Sequence, residues 1–127
     1  MLEHPTPEAV VQRQLDSYNA RDIDALLSIY AADAQLFEHP ATLIASGSEA
    51  LRGRFEARFR EPSLHAALLQ RIVIGNTVVD HERVSRDFPE GPGTLELVMI
   101  YEVAAGRISR AWSIPGPRML RQPGGQP

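Results

Sequence analysis

The sequence predicts an α+β fold in which three N-terminal helices pack against an antiparallel sheet. Apolar residues recur at helical spacing over about 7–19, 23–32 and 48–59. Most of the chain from about residue 65 to 114 instead alternates as strands do, with turn signals between the runs. Strands that follow one another without helices between them pair antiparallel, which excludes a sheet built from β-α-β units.

Length and composition narrow the classes of function. A chain of 127 residues with 43% hydrophobic residues can bury a core as one domain. Its net charge of -3 gives no electrostatic attraction to nucleic acid or to a membrane surface. The absence of lysine excludes a Schiff base, and the absence of cysteine excludes thiolate chemistry. No apolar run approaches the roughly 18 residues of a membrane span. We expect a cytoplasmic protein of bacterial type without a cofactor.

The first two helices begin at capping signals. Thr6 precedes a proline at the first helical position, Pro7, and predicts a helix that runs to about Asn19. Asp22 follows a short corner and is expected to cap a second helix that ends near Ala32. Two amphipathic helices joined by so short a corner are expected to pack together.

A short strand over 34–40 and a loop over 41–47 are predicted to precede the third helix. That helix opens at Ser46 or at Ser48 and ends near Phe59. Its arginines alternate with glutamates, a charge pattern typical of a solvated helix face rather than of an anion site. These arginines are Arg52, Arg54, Arg58 and Arg60.

A predicted β-hairpin over residues 64–84 organises the rest of the chain. With a two-residue loop at Gly75-Asn76, each face of the hairpin is apolar near the turn and polar further along. That pattern is costly in a plain core, so we predict that the hairpin forms the floor of a pocket. The polar region pairs Arg71 with Asp80 and Leu69 with Glu82 on one face, and Gln70 with His81 on the other.

The end of the chain is predicted to hold a loop, two strands and a tail. Residues 86–93 are rich in glycine and proline and are predicted to be a loop. Strands over 94–103 and 107–114 follow, and we assign residues 1–115 to one domain and the Pro/Gly-rich stretch 116–127 to a loose tail. The inward set of the last strand is predicted to be Ile108, Arg110, Trp112 and Ile114, with the face of Ala111 as the alternative.

This order of elements resembles the nuclear-transport-factor-2-like superfamily, and within it the SnoaL-like and ketosteroid-isomerase-like proteins. The resemblance implies a cone-shaped α+β barrel, in which a strongly curved sheet wraps around the helices and leaves a mostly apolar cavity. It also implies a homodimer formed through the outer face of the sheet. The residues that carry it are VVQRQLDSYNARDIDALLSIYAADAQLFEHP at 10–40, SGSEALRGRFEARF at 46–59, GNTVVDHERV at 75–84 and IYEVAAGRISRAW at 100–112.

The resemblance does not fix the reaction, because the superfamily includes isomerases, dehydratases, polyketide cyclases, epoxide hydrolases and non-enzymatic adaptors. Ketosteroid isomerase uses an aspartate base with a tyrosine and a protonated aspartic acid as hydrogen-bond donors. The resemblance places that tyrosine at Gln14, the donor acid near Met99 and the base near Glu38 or His39. Two of these three positions cannot do that chemistry, which argues against a steroid isomerase of the same mechanism.

His39 is the first candidate for a catalytic residue. It lies at the end of the short predicted strand, where family members place an acid or a base. An imidazole titrates near neutral pH and therefore suits proton transfer there. Glu38 is the alternative, because adjacent strand residues point to opposite faces and only one of the two can enter a cavity.

Asp80 and Glu82 are the other candidates for catalytic residues. If their face points inward, Arg71 neutralises Asp80 and leaves Glu82 as the free acid or base. If the opposite face points inward, His81 enters the pocket beside Gln70. We favour the inward orientation of the two carboxylates.

The remaining candidates are expected to bind substrate through an apolar wall and a few hydrogen-bond donors. We expect an enzyme that transfers protons on an apolar organic substrate, as an isomerase, dehydratase, cyclase or hydrolase. The alternative is a non-catalytic ligand-binding or dimeric interaction module, and no histidine spacing predicts a metal site. The predicted substrate-binding residues are Tyr18, Arg71, Met99, Tyr101 and Trp112.

Overall fold

The computed structural model describes residues 3–121, which form three helices and six strands. The helices pack on the inner face of one curved sheet, and two strands separate the second helix from the third along the chain; the predicted α+β fold is confirmed. None of the helices in this described part is long and apolar enough to cross a membrane. In chain order the elements are α1 Pro7–Asn19, α2 Ile23–Ile29, β1 Tyr30–Glu38, β2 Thr42–Ser46, α3 Ser48–Phe59, β3 His65–Ile74, β4 Thr77–Phe88, β5 Gly91–Ala104 and β6 Arg107–Leu120.

Helices α1 and α2 begin at the predicted caps. The Thr6 hydroxyl accepts a hydrogen bond from the Ala9 amide at 3.1 Å, and the Asp22 carboxylate accepts one from the Ala25 amide at 3.1 Å. The predicted end of the second helix near Ala32 is wrong, because Tyr30 is already extended and begins β1. Pairing with the last strand draws this segment out of the helix.

The region before α3 is more regular than predicted. Residues 42–46 form β2 rather than a loop, and β2 pairs antiparallel with β1. Both predicted caps of α3 are wrong, because the N-cap is Gly47, which has a φ of 88° and no side chain with which to cap the helix. Ser46 is the last residue of β2, and the Ser48 hydroxyl instead donates to the Ala32 carbonyl at 3.4 Å. A positive φ at the junction of strand and helix favours glycine.

The sheet has the strand order β2-β1-β6-β5-β4-β3. Strands β3 to β6 form an antiparallel meander, as the consecutive strand signals predict. The β1–β6 pair is parallel, so the sheet is mixed rather than purely antiparallel. This pair joins the first strand of the chain to the last and places β1 and β2 beside the meander.

The β3–β4 hairpin has the predicted register near its turn. Arg71 lies opposite Asp80, as expected. Leu69 was expected to face Glu82, but the register shifts between Leu68 and Gln70 and Leu68 takes that place. A bulge of this kind inserts one unpaired residue and bends its strand.

The predicted loop over 86–93 is wrong, because β4 extends to Phe88 and β5 begins at Gly91. Gly93 serves close packing, since a Cβ there would lie 2.5 Å from the Met119 carbonyl oxygen, whereas Gly91 has a φ of 133°. The last strand was expected to end near Ile114 but continues to Leu120, where it pairs with Gly93. Residues 116–120 of the predicted tail are therefore part of the sheet, and 122–127 lie outside the described residues.

A second bulge changes which face of β6 points inward. Val103 pairs with Ile108, whereas Glu102 pairs with Arg110, so Ser109 is the extra residue. Ile108 and Ala111 are both buried as a result. Only Ile108 of the predicted inward set is correct; Arg110, Trp112 and Ile114 lie on the outer face.

The corner between α1 and α2 is fastened to the start of β3. The Asn19 side chain accepts a hydrogen bond from the Ala66 amide at 2.8 Å and donates one to the Ala66 carbonyl at 2.9 Å. Arg21 donates to the Phe59 carbonyl at 2.8 Å and to the Pro62 carbonyl at 3.0 Å. These bonds fix α1 against the inner face of the sheet and set the width of the space between them.

Candidate functional site

A cavity of about 400 Å³ lies between the helices and the inner face of the sheet. Its size falls within the range of small-molecule sites. Glu82 and Tyr101 line it and are buried, whereas the lining residues Arg54 and Arg118 are exposed. The cavity therefore has a buried end, lined by a carboxylate and phenols, and an open end lined by arginines.

Glu82 is the titratable group at the buried end. Its side chain points inward from β4, and the residue is only 4% exposed. Within residues 3–121, no protein group is found to donate a hydrogen bond to its carboxylate, whose oxygens face the cavity. Burial raises the pKa of Glu82 to about 7; the charge of Asp80 adds to this effect and Arg71 opposes it. The carboxyl group can therefore both accept and release a proton near neutral pH.

Asp80 and Arg71 form an ion pair beside this cavity. Asp80 is fully buried, and Arg71 donates to its two carboxylate oxygens at 2.7 and 2.9 Å. Arg71 also donates to the side chain of Gln12 at 2.9 Å. Neither member of the pair lines the cavity, so the structure does not place them where a ligand would touch them. Their arrangement leaves Glu82 as the free acid of this strand, because Asp80 already has its cation.

Two phenols and an amide are linked at the buried end. Tyr101 donates to the Gln14 Oε1 atom at 3.3 Å, and the Gln14 Nε2 atom donates to the Tyr30 oxygen at 3.3 Å. Burial raises the pKa of both tyrosines, so both phenols stay protonated at neutral pH. Because the Tyr30 oxygen accepts the hydrogen bond from Gln14, the O–H of Tyr30 remains available to donate to a ligand.

The sequence did not identify Tyr30 or Gln14 as site residues. Tyr30 fits the apolar stripe of the preceding helix, and the resemblance places Gln14 where ketosteroid isomerase has its catalytic tyrosine. A polar glutamine beside the apolar stripe of α1 was the one available signal. Of the predicted substrate-binding residues, Tyr18, Met99 and Tyr101 line the cavity.

Three other candidates lie elsewhere. His39 is exposed in the turn after β1 and does not line the cavity, whereas its alternative Glu38 does. Trp112 lies on the outer face and stacks on Phe37 at 5.5 Å between ring centroids. His81 also points outward, with its Nε2 atom 2.6 Å from Glu96. The bulge at Ser109 explains why Trp112 points outward. His39 lies outside the cavity because β1 ends at Glu38 and His39 falls in the turn that follows.

Arginines that the sequence did not select contribute to the cavity. Arg54 and Arg58 line it, although the charge pattern of α3 predicted a solvated face. Arg52 fits that prediction, because it is paired with Asp24 at 2.9 Å on the surface. The spacing of charged residues along a helix does not show which of its polar faces will line a cavity. Within residues 3–121, no group of three or more acidic or histidine side chains could hold a metal ion.

Comparison with known proteins supports the fold and the family. A family model described as a SnoaL-like domain matches residues 11–111. An uncharacterized cystatin-fold protein from Novosphingobium aromaticivorans has a TM-score of 0.81 at 24% identity, over 87% of this chain and 98% of the other. A proposed polyketide cyclase from Sinorhizobium meliloti has a TM-score of 0.69 at 27% identity, over 83% and 93%.

A third solved structure contains a small ligand. It is a protein of ketosteroid isomerase-like fold from Catenulispora acidiphila, in complex with trimethylamine. It has a TM-score of 0.72 at 16% identity, over 86% of this chain and 85% of the other. No match is found among curated proteins.

Proposed function

Since the chain belongs to the SnoaL-like domain family, we propose that it is an enzyme that transfers protons on an apolar organic substrate. The observation that carries this proposal is Glu82. Its carboxyl group faces the cavity, has no hydrogen-bond donor within residues 3–121, and has a pKa raised to about 7. A perturbed pKa in a cleft is typical of a functional acid or base.

The proposed reaction begins with removal of a proton from a carbon next to a carbonyl group. The Glu82 carboxylate takes this proton, and the electron pair of the broken C–H bond moves onto the carbonyl oxygen to give an enolate. The O–H of Tyr30 is suited to donate a hydrogen bond to that oxygen, which stabilises the developing charge. The protonated Glu82 then returns the proton to carbon. Alternatively, the enolate carbon attacks a second carbonyl within the same substrate, the π electrons of that carbonyl move onto its oxygen, and the resulting alkoxide takes the proton from Glu82.

This arrangement differs from that of ketosteroid isomerase. The proposed base lies in β4, whereas the resemblance placed a base near Glu38 or His39. The proposed donor is the phenol of Tyr30, and the Gln14 amide links Tyr30 to Tyr101. The apolar remainder of the wall, which includes Leu97 and Met99, favours a hydrophobic substrate.

Exchange of α-protons with solvent deuterium tests the proposal. β-Tetralone, an apolar bicyclic ketone, would be incubated with the protein in deuterium oxide and followed by proton NMR. We expect Glu82→Gln to slow the protein-catalysed exchange by roughly a hundredfold or more, the usual contribution of a general base. The wild-type rate should rise with pH about a midpoint near 7, because the base must be ionised.

Glu49→Gln is the matched control, since Glu49 is exposed on α3 and does not line the cavity. It should exchange protons at the wild-type rate. An unchanged rate in Glu82→Gln, at a ketone concentration that stabilises the wild-type protein against heat, would remove Glu82 from the mechanism.

We also infer that the chain forms a homodimer through the outer face of its sheet. Apolar side chains lie opposite one another in register across all six strands, and polar pairs such as that of His81 and Glu96 flank them. An apolar centre with a polar rim is the composition of a protein interface. The outer row, in strand order, is Ile72, Val79, Ile100, Trp112, Phe37 and Leu43.

A further inference from the structure

The open end of the cavity is lined by arginines from three elements. Arg54 and Arg58 lie one helical turn apart on α3, and Arg86 and Arg118 come from β4 and β6. Residues four apart on a helix share a face, so Arg54 and Arg58 can act on the same group. The question is which of these cations already has an anion.

Two of the four arginines are neutralised by the protein. Arg86 donates to both carboxylate oxygens of Glu61, at 3.0 and 2.7 Å. Arg118 donates to Glu90 at 3.1 Å. The Asp87 amide also donates to Glu61 at 3.0 Å, so the acceptor sites of this carboxylate are largely occupied.

Arg58 is left with one weak contact. Its side chain is 26% exposed, and its Nε atom lies 3.5 Å from the Glu61 carboxylate that Arg86 already holds. No hydrogen bond from its guanidinium is found within residues 3–121. Burial, together with the like charges of Arg86 and Arg54, lowers the pKa of Arg58, while the guanidinium stays charged. A half-buried cation without a full partner is unfavourable unless a ligand supplies an anion.

Arg54 has no anionic partner on its helix either. The ion pairs of α3 within the described residues involve Arg52 and Arg58, and none involves Arg54. Within residues 3–121, this wall of the cavity therefore carries one guanidinium, that of Arg54, without an ion pair, and one, that of Arg58, whose single ion pair is the 3.5 Å contact to a carboxylate shared with Arg86. The Glu82 carboxylate does not neutralise either arginine, since no ion pair between Glu82 and Arg54 or Arg58 is found within residues 3–121.

We propose that the substrate of this cavity carries a carboxylate, which Arg58 and Arg54 bind while the apolar body of the substrate extends to Glu82. A guanidinium presents paired N–H groups that match the two oxygens of a carboxylate. The inference rests on the proposed function and adds an orientation to it. Because the anionic end is held by the arginines, the uncharged end with the reacting carbon is the part that meets Glu82.

Tyr18 connects the two ends of the cavity. It lines the wall, and burial raises its pKa, with Arg58 and Arg86 lowering it and Glu82 raising it. Tyr18, Arg58 and Glu82 all line this one cavity. A substrate that spans from Arg58 to Glu82 would therefore pass along Tyr18.

Two matched ligands test the proposal by binding alone. The first is a β-tetralone with a carboxylate on its aromatic ring, and the second is the corresponding uncharged carboxamide. Their dissociation constants would be measured by calorimetry at low ionic strength. We expect the wild-type protein to bind the carboxylate roughly 10-fold to 100-fold more tightly, as for a hydrogen-bonded charge pair.

Arg58→Gln should remove most of this preference, and Arg54→Gln should reduce it. Arg60→Gln is the control, because Arg60 is exposed on the same helix end and does not line the cavity. It lowers the net charge equally and should keep the preference. Arg54 is exposed, so its variant keeps the test decisive even if Arg58→Gln folds poorly.

Equal affinity for the two ligands, no binding of the carboxylate, or a preference retained in both arginine variants would overturn the proposal. The proton-transfer function fails separately. If the protein prefers the carboxylate ligand but shows no proton exchange that depends on Glu82, the anion site stands and the proposed reaction is refuted. If Glu82-dependent exchange occurs with both ligands but neither is preferred, the reaction stands and the anion site is refuted.

Discussion

Burial of Glu82 has a consequence for stability as well as for chemistry. Its pKa in the folded protein is about 7, against an ordinary value of 4.5. Between these pH values the folded state binds more protons than the unfolded state, so stability falls as the pH rises through this window. The loss amounts to about 3 kcal/mol once the carboxyl group is fully ionised.

Glu82→Gln is therefore predicted to be more stable than the wild-type protein at about pH 8, by up to about 3 kcal/mol. Near pH 4.5 the two proteins should be similar, since both then carry an uncharged side chain. Urea unfolding at the two pH values, followed by circular dichroism, measures the difference. A variant that is no more stable than the wild type at the higher pH would show that Glu82 is not buried as a charge.

The pairing of residues near the turn of the hairpin could be predicted from the sequence, whereas the place of Tyr30 in the site could not. Local pairing brings Arg71 beside Asp80, and the turn alone specifies that pairing. Tyr30 was missed because it satisfies both a helical stripe and a strand start, and only its pairing with Ile108 in a distant strand decides between them. A local sequence pattern contains no information about pairing between strands that are far apart in the chain.

The two bulges show the same limit at the scale of elements. Leu69 and Ser109 each interrupt a strand whose alternation reads as continuous in the sequence. One extra residue reverses the faces that follow it, which moved Trp112 from the predicted interior to the outer surface. The neighbouring strands determine where such a residue is accommodated, so a single strand pattern cannot locate it.

The clamp between α1 and β3 gives a prediction at this scale. Asn19→Ala removes both hydrogen bonds to Ala66, a residue that also lines the cavity. We expect the free energy of unfolding to fall by about 2 kcal/mol, because the Ala66 amide and carbonyl lose their side-chain partner. Urea unfolding measures this loss.

Asn19→Asp is the matched comparison, because its carboxylate can still accept from the Ala66 amide but cannot donate to the carbonyl. It should be intermediate between the wild type and Asn19→Ala. If Asn19→Ala is as stable as the wild type, the clamp does not contribute to holding α1 in place.

At the scale of the whole molecule, the outer row across the sheet predicts a dimer. Leu43 at one edge is 51% exposed and Ile72 at the other is 48% exposed, which is unfavourable in a monomer. Light scattering at micromolar concentration should give twice the chain mass of 14.1 kDa. Ile100→Glu, in the middle of the row, should give the monomer mass because a charge there would be buried without a partner.

Met119→Glu is the control, since Met119 is an exposed apolar residue outside the row. It should remain dimeric. A wild-type protein that has the monomer mass would contradict the proposed interface, whatever the variants do.

The general architecture could be predicted because it depends on the order and type of elements. Two amphipathic helices, a short strand, a third helix and then consecutive strands leave few arrangements, and a curved sheet around the helices is one of them. The parallel contact of β1 with β6 could not be predicted, because it depends on the two ends of the sheet meeting in space. The arginine-lined wall has the same origin, since α3 meets the cavity only in the assembled molecule.

The parallel β1–β6 contact also orders events in time as the chain folds. The meander from β3 to β6 is built from neighbouring hairpins, whose loops are short and close quickly. We expect Tyr30 to pair with Ile108 after the meander has formed, because the meander brings the last strand close and shortens the loop that this pairing must close. In that order of events the early part of the chain joins a sheet that is already formed, and the cavity between the two forms last.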